Sequence, residues 1–431
     1  MNAMSACAAS VAQGLDPARL WQRVETLSKF TLPGQPWTRR AFSDQHAAAR
    51  DWLRNEFELA GLQVSVDAAG NLTGRRAGRN PRRKPIITGS HTDTVMQGGR
   101  FDGIIGVLAG LEVACALREK SVPMEHPFEV IDFLSEEPSD YGVSCVGSRG
   151  LCGSLDDAML AAEDGNGDTL AAAIRRAGGD PLRLGKELRG PASTAAFVEL
   201  HIEQGPVLEA KKLPIGVVTH IVGIRRVALL VEGRPDHAGT TPMDLRCDAL
   251  AGAALIIAEV QQAAAALARH GPDYVVATIG RIVVTPNASN AVPGRAEMTL
   301  EVRSDNPDVL SAFPENIIDM VAAELAALRL KLTMTPQTLS HPTRCSPLVM
   351  NIIEQASAAQ GYASMRMPSG AGHDGVYVAK TGPIGMIFIP CLNGRSHCPE
   401  EWIDPGQLLD GTRVLCETIV RLDRSLAAPG A

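Results

Sequence analysis

The stretch "GSHTDTVMQGGRFDG", residues 89–103, decides the fold. It follows the apolar run "PIIT" (85–88) and precedes "IIGVLAGLEVACALREK" (104–120), which is apolar at helical spacing and closes on basic residues, as a helix C-terminus prefers. The order is therefore strand, glycine-rich turn, helix, with His91 and Asp102 on the turn. In open α/β sheets ligands bind at the carboxyl ends of the strands, so this turn is where chemistry is expected. Gly98, Gly99 and Gly103 let the backbone turn sharply and come close to what the turn holds.

The same pattern recurs. "FEVIDFLS" (128–135) reads as a strand running into Glu136 and Glu137, and "AAFVELHIEQ" (195–204) as another carrying His201 and Gln204. Alternation of short apolar runs with helical patterns over residues 85–235 predicts an α/β sheet with crossover helices. The period then changes. Strand 222–233, helix 248–270 closed by Gly271, strands 273–284 and 294–304, helix 306–329 and strand 330–336 spell βαββαβ, a ferredoxin-like sandwich. This second domain is expected at 216–336, inserted in a first domain made of 1–215 and 337–431, where helical signals resume at "PLVMNIIEQASAAQ". Residues 156–180 are alanine-rich and read as helical with loops.

Composition limits the rest. A chain of 431 residues exceeds what one core usually serves. A net charge of −7, with one basic run "RRAGRNPRRK" (75–84) that reads as a solvated loop, argues against a nucleic-acid partner. The nine cysteines are odd in number and never form CxxC, as expected of reduced thiols in the cytoplasm. The N-terminal "MNAMSACAASVAQG" lacks the features of a secretory signal. The longest apolar stretch, 249–268, is interrupted by Glu259, Gln261 and Gln262, so a core or amphipathic helix is expected and not a membrane span.

Singly, the candidate residues have plain structural roles: Asp102 as a helix N-cap, Glu136 and Glu137 as partners of a helix dipole, His91, His201 and His397 as hydrogen-bonded core or loop histidines. Together they offer nitrogen and oxygen ligands for two divalent cations with one carboxylate shared, and a spare acidic neighbour to act as general base. Zinc, manganese, cobalt and nickel all suit such ligands.

The motifs "GSHTDTV", "GGRFDGIIGVLAGLEV", "ELHIEQGPVLE", "HAGTTPMDLRCDAL", "PNASNAVPG", "MPSGAGHDG" and "GMIFIPCLNGRSHCPEE" resemble those of the hydantoinase/carbamoylase amidases of the zinc-aminopeptidase-like superfamily. The resemblance implies an α/β catalytic domain with the inserted domain serving as lid and homodimer contact. It implies two metal ions, one held by His91 and His201 and one by Glu137 and His397, with Asp102 bridging and Glu136 as base. It also implies that Gln204, Asn290, Arg303, Ser369, Gly370 and Ala371 contact substrate, and that His237, presented by a neighbouring subunit, stabilises the oxyanion. The substrate implied is a small N-carbamoyl or ureido acid, allantoate and ureidoglycolate included. Arg303 on the polar face of its strand also reads as a cross-strand ion-pair partner, and His373 and Asp374 as support around the ligands. Rival readings are a dipeptidase or N-acyl-amino-acid deacylase, a metal-free amidase using Cys391 or Cys398, and an inactive ligand-binding dimer. Pro138, after the paired glutamates, is a departure from the family pattern that stiffens the loop there.

Overall fold

The computed structural model describes residues 11–428; Cys7 and most of the N-terminal stretch read above lie outside them. The chain forms two compact units. The first comprises the described residues up to Thr219, Arg344–Met367 and the described residues from His373 onward; the second comprises His220–Thr343 with Pro368–Gly372.

The first unit is built on strands β1 (Gln63–Val66), β2 (Leu72–Arg76), β3 (Ile86–His91), β4 (Phe128–Phe133), β5 (Ala196–Ile202) and β6 (Ile215–Ile221). In the second follow β7 (Gly223–Glu232), β8 (Asp236–His237), β9 (Val275–Thr285), β10 (Ala291–Val292), β11 (Arg295–Ser304) and β12 (Lys331–Ser340); the chain ends with β13 (Thr343–Arg344), β14 (Ser364–Ser369) and β15 (Ile384–Ile389). The main sheet orders its strands β1-β2-β4-β3-β5-β15-β6. Its centre, β4-β3-β5-β15, is parallel. Every residue of these four strands is buried, as both-face coverage by helices demands.

The helix Ile104–Glu119 packs on β3 and is buried over nearly its whole length. Glu112 is its one buried charge. Arg19 and Arg23 meet it at 2.7 and 3.0 Å, both from the helix Pro17–Ser28. That N-terminal helix, capped by Asp16, is thus fixed to the core by ions as well as by Leu20, Val24 and Leu27.

The second unit has sheet order β12-β7-β11-β9, all antiparallel, with the helices Ala249–His270 and Pro307–Ala327 on one face. Alternate residues Val227, Leu229 and Val231 of β7 and Ala296, Met298, Leu300 and Val302 of β11 meet Ile256, Val260, Phe313, Ile317 and Val321 of those helices. This is the βαββαβ order read from the sequence. Its limits differ from 216–336: β6 pairs with β15 and so keeps residues 215–219 in the first unit, β12 continues past Pro336 to Ser340, and Pro368–Gly372 joins the second unit. Among the described helices Ala249–His270 alone is long and apolar enough to cross a membrane, yet Ala253, Ile256 and Val260 are buried on the sheet. Residues 156–180 form helices Asp157–Leu160 and Leu170–Arg176 with a turn between, and no disulfide occurs among the described residues.

Candidate metal centre

Five side chains converge at the carboxyl ends of the parallel strands. His91 ends β3, Glu137 lies four residues past β4, His201 is the penultimate residue of β5, His397 follows β15, and Asp102 opens the helix after β3. His201 Nε2 lies 3.1 Å and His91 Nε2 3.8 Å from Asp102 Oδ1. On the other side His397 Nε2 is 3.0 Å from Asp102 Oδ2 and 3.1 Å from Glu137 Oε1. Two triads result, His91–Asp102–His201 and Asp102–Glu137–His397, each with its ligand atoms within 4.8 Å of one another. Asp102 belongs to both. It does not cap the helix; Gly103 occupies the cap position and the carboxylate turns into the cluster.

The local backbone explains the convergence. Gly103 has φ +69°, and a Cβ there would sit 2.3 Å from His91 Nε2. At Gly99 a Cβ would meet the Glu401 carboxylate. That carboxylate accepts the amides of Phe101 (2.8 Å) and Asp102 (3.1 Å), while Phe101 stacks on Trp21 and packs edge-on against Trp402. Arg100 lies between the rings of Trp37 and Trp402, 4.7 Å from each centroid. Three of the four tryptophans thus gather against this turn.

The His91 and His201 rings are each oriented by their other nitrogen. His91 Nδ1 pairs with the Asp93 carbonyl at 3.0 Å and His201 Nδ1 with the Ile202 carbonyl at 2.9 Å, which turns both Nε2 atoms toward the cluster, where that of His201 also accepts the Gly103 amide at 3.1 Å. Asp93 also accepts the amides of Glu136 (3.2 Å) and Glu137 (3.1 Å), so one carboxylate sets the start of the glutamate loop. Gln204 donates to Asp102 Oδ2 at 2.7 Å, and Ser396 donates to the same oxygen at 2.8 Å. Asp93, Ser396 and Glu401 were not singled out by sequence; their partners lie far along the chain or are backbone amides, which no spacing rule reveals.

Electrostatics match a cation site. Burial works against charging His91, yet Asp93, Asp102 and Glu137 push it up to about 9. The bonds from Asp102 and Glu137 raise His397 to about 11. Asp102 is buried, but His201 and His397 hold it well below the usual carboxylate range. The carboxylates thus draw positive charge into the site. Three imidazoles and shared carboxylates fit a pair of divalent ions.

Glu136 stands apart from both triads. Its Oε2 is 3.7 Å from His91 Nε2, its side chain is 11% exposed, and burial together with Glu137 and Asp374 raises its carboxyl well above the ordinary range. Cys145 Sγ lies 3.5 Å from its Oε1. His373 and Asp374 are buried beside the triads: His373 meets the His201 ring edge-on at 4.6 Å, and Ser148 donates to Asp374 at 2.5 Å. Glu199 with His201 and His373 makes a third ligand-like group, but His201 is common to it and the first triad. After Glu137 the loop of Pro138 is tied to Arg40, which contacts the Pro138 carbonyl and pairs with Asp140 at 2.8 Å.

The remaining candidates lie in the second unit. His237 is exposed on β8, its Nδ1 accepting the amides of Gly239 and Thr240, so that Nε2 is the outward nitrogen. Asn290 is exposed beside it, its carbonyl accepting the Ala238 amide. Arg303 pairs with Glu301 of its own strand at 2.7 Å and donates to the Gly370 carbonyl at 2.8 Å, while Arg226 supplies the cross-strand partner of Glu301. Ser369 and Ala371 bond to each other around that carbonyl. Cys391 is buried, which pushes its thiol up to about 12 and removes it as a nucleophile.

The chain is similar to known proteins over nearly its full length. The model of peptidase family M20/M25/M40 matches residues 87–421. An N-carbamoyl-L-amino acid amidohydrolase of Geobacillus stearothermophilus is 40% identical, covering 94% of this chain and 98% of its own. A ureidoglycolate hydrolase of Arabidopsis thaliana is 34% identical, over 95% of this chain and 87% of its own. The crystal structure of a hydantoinase/carbamoylase family amidase from Burkholderia multivorans superposes with a TM-score of 0.87 at 34% identity, covering 95% of this chain and 98% of that one. The chain belongs to peptidase family M20/M25/M40 and, within it, to the hydantoinase/carbamoylase amidases.

Proposed function

We propose that the chain hydrolyses the carbamoyl C–N bond of N-carbamoyl L-amino acids, releasing the amino acid, carbon dioxide and ammonia. The observation that carries this reading is Glu136, a buried carboxyl poised beside two triads that share Asp102, in a chain alike to carbamoyl amidohydrolases over nearly its full length. His91 and His201 would hold one divalent ion, Glu137 and His397 the other, with Asp102 touching both. Ions so held supply a water acidic enough to lose a proton near neutral pH and a positive charge for the developing oxyanion.

Glu136 takes that proton as the water attacks the carbamoyl carbon and delivers it to the departing nitrogen. Gln204 and Ser396 hold Asp102 Oδ2 in place, and Asp93 holds the loop that bears Glu136. Arg303, with Asn290, would grip the substrate carboxylate, since a planar guanidinium binds a carboxylate through two parallel bonds. The segment Ser369–Ala371 would line the pocket. His237 would donate Nε2–H to the oxyanion, and its exposure supports delivery to the site of a second copy.

A homodimer through the second unit, which would act as a lid, has a physical basis. The helix Ala249–His270 exposes Leu250, Leu255, Ile257 and Leu267, and the neighbouring edge strand β9 exposes Val276, Ile282 and Val283. An apolar face beside an unpaired strand edge suits a second copy of the same chain. We place the enzyme in the cytoplasm on its cysteine usage.

The similarity to a ureidoglycolate hydrolase favours a second substrate reading, ureidoglycolate or allantoate. The test is a panel: ammonia release from N-carbamoyl-L-amino acids, ureidopropionate, allantoate and ureidoglycolate, with amino-acid release from dipeptides as control, on protein reconstituted with zinc, manganese, cobalt or nickel. Turnover of dipeptides alone would refute the proposal.

A further inference from the structure

The two carboxylate oxygens of Glu136 have unequal surroundings. Oε2 faces the cluster, 3.7 Å from His91 Nε2. Oε1 lies 3.5 Å from Cys145 Sγ, and among the described residues that thiol is the one hydrogen-bond donor to the Glu136 carboxylate.

The backbone fixes the thiol there. The amide of Cys145 donates to the Glu136 carbonyl at 2.9 Å, that of Val146 to the Ser135 carbonyl at 3.0 Å and that of Gly147 to the Leu134 carbonyl at 2.8 Å. Residues 145–147 are thus laid along 134–136. Cys145 holds the cap position of the helix Val146–Leu151 at φ +54°, and its side chain makes no bond to the helix amides. A position that usually carries Ser, Thr, Asp or Asn to satisfy those amides here turns its side chain to Glu136 instead. Burial, with Glu136 and Asp374 nearby, raises the thiol well above its ordinary range, so the sulfur keeps its proton and acts as the donor.

We propose that Cys145 is a positioning residue for the base: its S–H occupies Glu136 Oε1 and leaves Oε2 as the oxygen that takes the proton of the attacking water and returns it to the departing nitrogen. The inference rests on the reading of Glu136 as that base. A thiol suits the place because it is a weak donor. It orients the carboxylate while taking little of its basicity, whereas a strong donor to the charged form would lower its affinity for a proton.

Cys145→Ala and Cys145→Ser, each full-length and metal-loaded, test this beside Glu136→Gln on the best N-carbamoyl substrate. Cys145→Ala removes the donor and should lower kcat about five- to tenfold, the usual worth of one hydrogen bond, with KM and bound metal as in wild type. Cys145→Ser puts a donor back on the same Cβ and should recover most of that loss; a side chain that only fills space would leave the Ala and Ser variants alike. Equal losses in the two, or a wild-type kcat in Cys145→Ala while Glu136→Gln loses turnover, would overturn this inference and leave the base standing. A fully active Glu136→Gln would overturn both.

Discussion

His397 Nε2 lies 3.0 Å from Asp102 Oδ2, across 295 residues of sequence, while Asp102 Oδ1 faces the two histidines of the other triad. One carboxylate therefore serves both halves of the site. Asp102→Asn keeps the shape but removes the shared charge, so metal content should fall from two ions per chain to one or none and turnover should collapse with it. Elemental analysis beside the ammonia assay checks this. Two firmly held ions in the variant would remove Asp102 from the bridge.

Metal uptake should depend steeply on pH. In metal-depleted protein His91 titrates near 9 and His397 near 11, both raised by carboxylates, so each holds a proton at neutral pH that an incoming cation must displace. Affinity should therefore climb as pH rises from 6 to 9, with protons released on binding. Calorimetry in buffers of different ionisation heat measures that release; an affinity flat over this range would contradict the assignment of these histidines.

Gly103→Ala is predicted to lose metal although it removes no ligand. The methyl would collide with His91 Nε2 and the residue would be held at φ +69°, so the turn must move. Circular dichroism should remain near wild type while bound metal and activity drop. Wild-type metal content would show that the turn yields without harm.

The buried cluster around Glu112 carries a stability prediction. Glu112→Gln leaves the Arg23 guanidinium, 8% exposed on its side chain, with Glu56 alone. Breaking a buried pair from one side costs about 3–5 kcal/mol, and the remaining Glu56 contact puts this case near about 3 kcal/mol. Urea denaturation measures it. The double change Arg23→Met with Glu112→Leu should cost less than Glu112→Gln, because no charge is then left buried.

How much of this was legible beforehand follows from what each feature depends on. The central parallel strands and their crossover helix announced themselves because burial on both faces forces continuous apolar runs, as in "FEVIDF" and "AFVELHI". The candidate ligands stood out because an imidazole or a carboxylate follows each of several such runs; taken singly each also has a plain structural role, and their division between two ions came from the family resemblance. The elements before residue 85, β1, β2 and the helices Pro17–Ser28 and Asp44–Leu59, were not read, since their half-exposed patterns are weak and Arg23 and Arg50 look like surface residues until Glu112 and Asp132 face them. Glu401 escaped notice for a similar reason: it holds the amides of Phe101 and Asp102, groups without a sequence signature. The two-residue pairing of β8 with β10, which sets His237 against Ala291, is too short for any periodicity to reveal.

If His237 serves the site of a second copy, subunits can complement one another. Alone, His237→Ala should cut turnover by about 10²–10³-fold, the usual loss for a missing oxyanion donor, and Glu136→Gln by about 10²–10⁴-fold, the usual loss for a missing base. Mixed and re-dimerised, the two variants should regain about a quarter of wild-type activity per chain, because half of the dimers are mixed and each of those has one intact site. No recovery on mixing would place His237 with the site of its own chain.

The most direct measurement on the central claim is Glu136→Gln, assayed for both metal and turnover with the best N-carbamoyl substrate. The account predicts two ions per chain, as in wild type, with turnover reduced about 10²–10⁴-fold. Hydrolysis at the wild-type rate would contradict Glu136 as the base, and loss of both ions would show it to be a ligand instead.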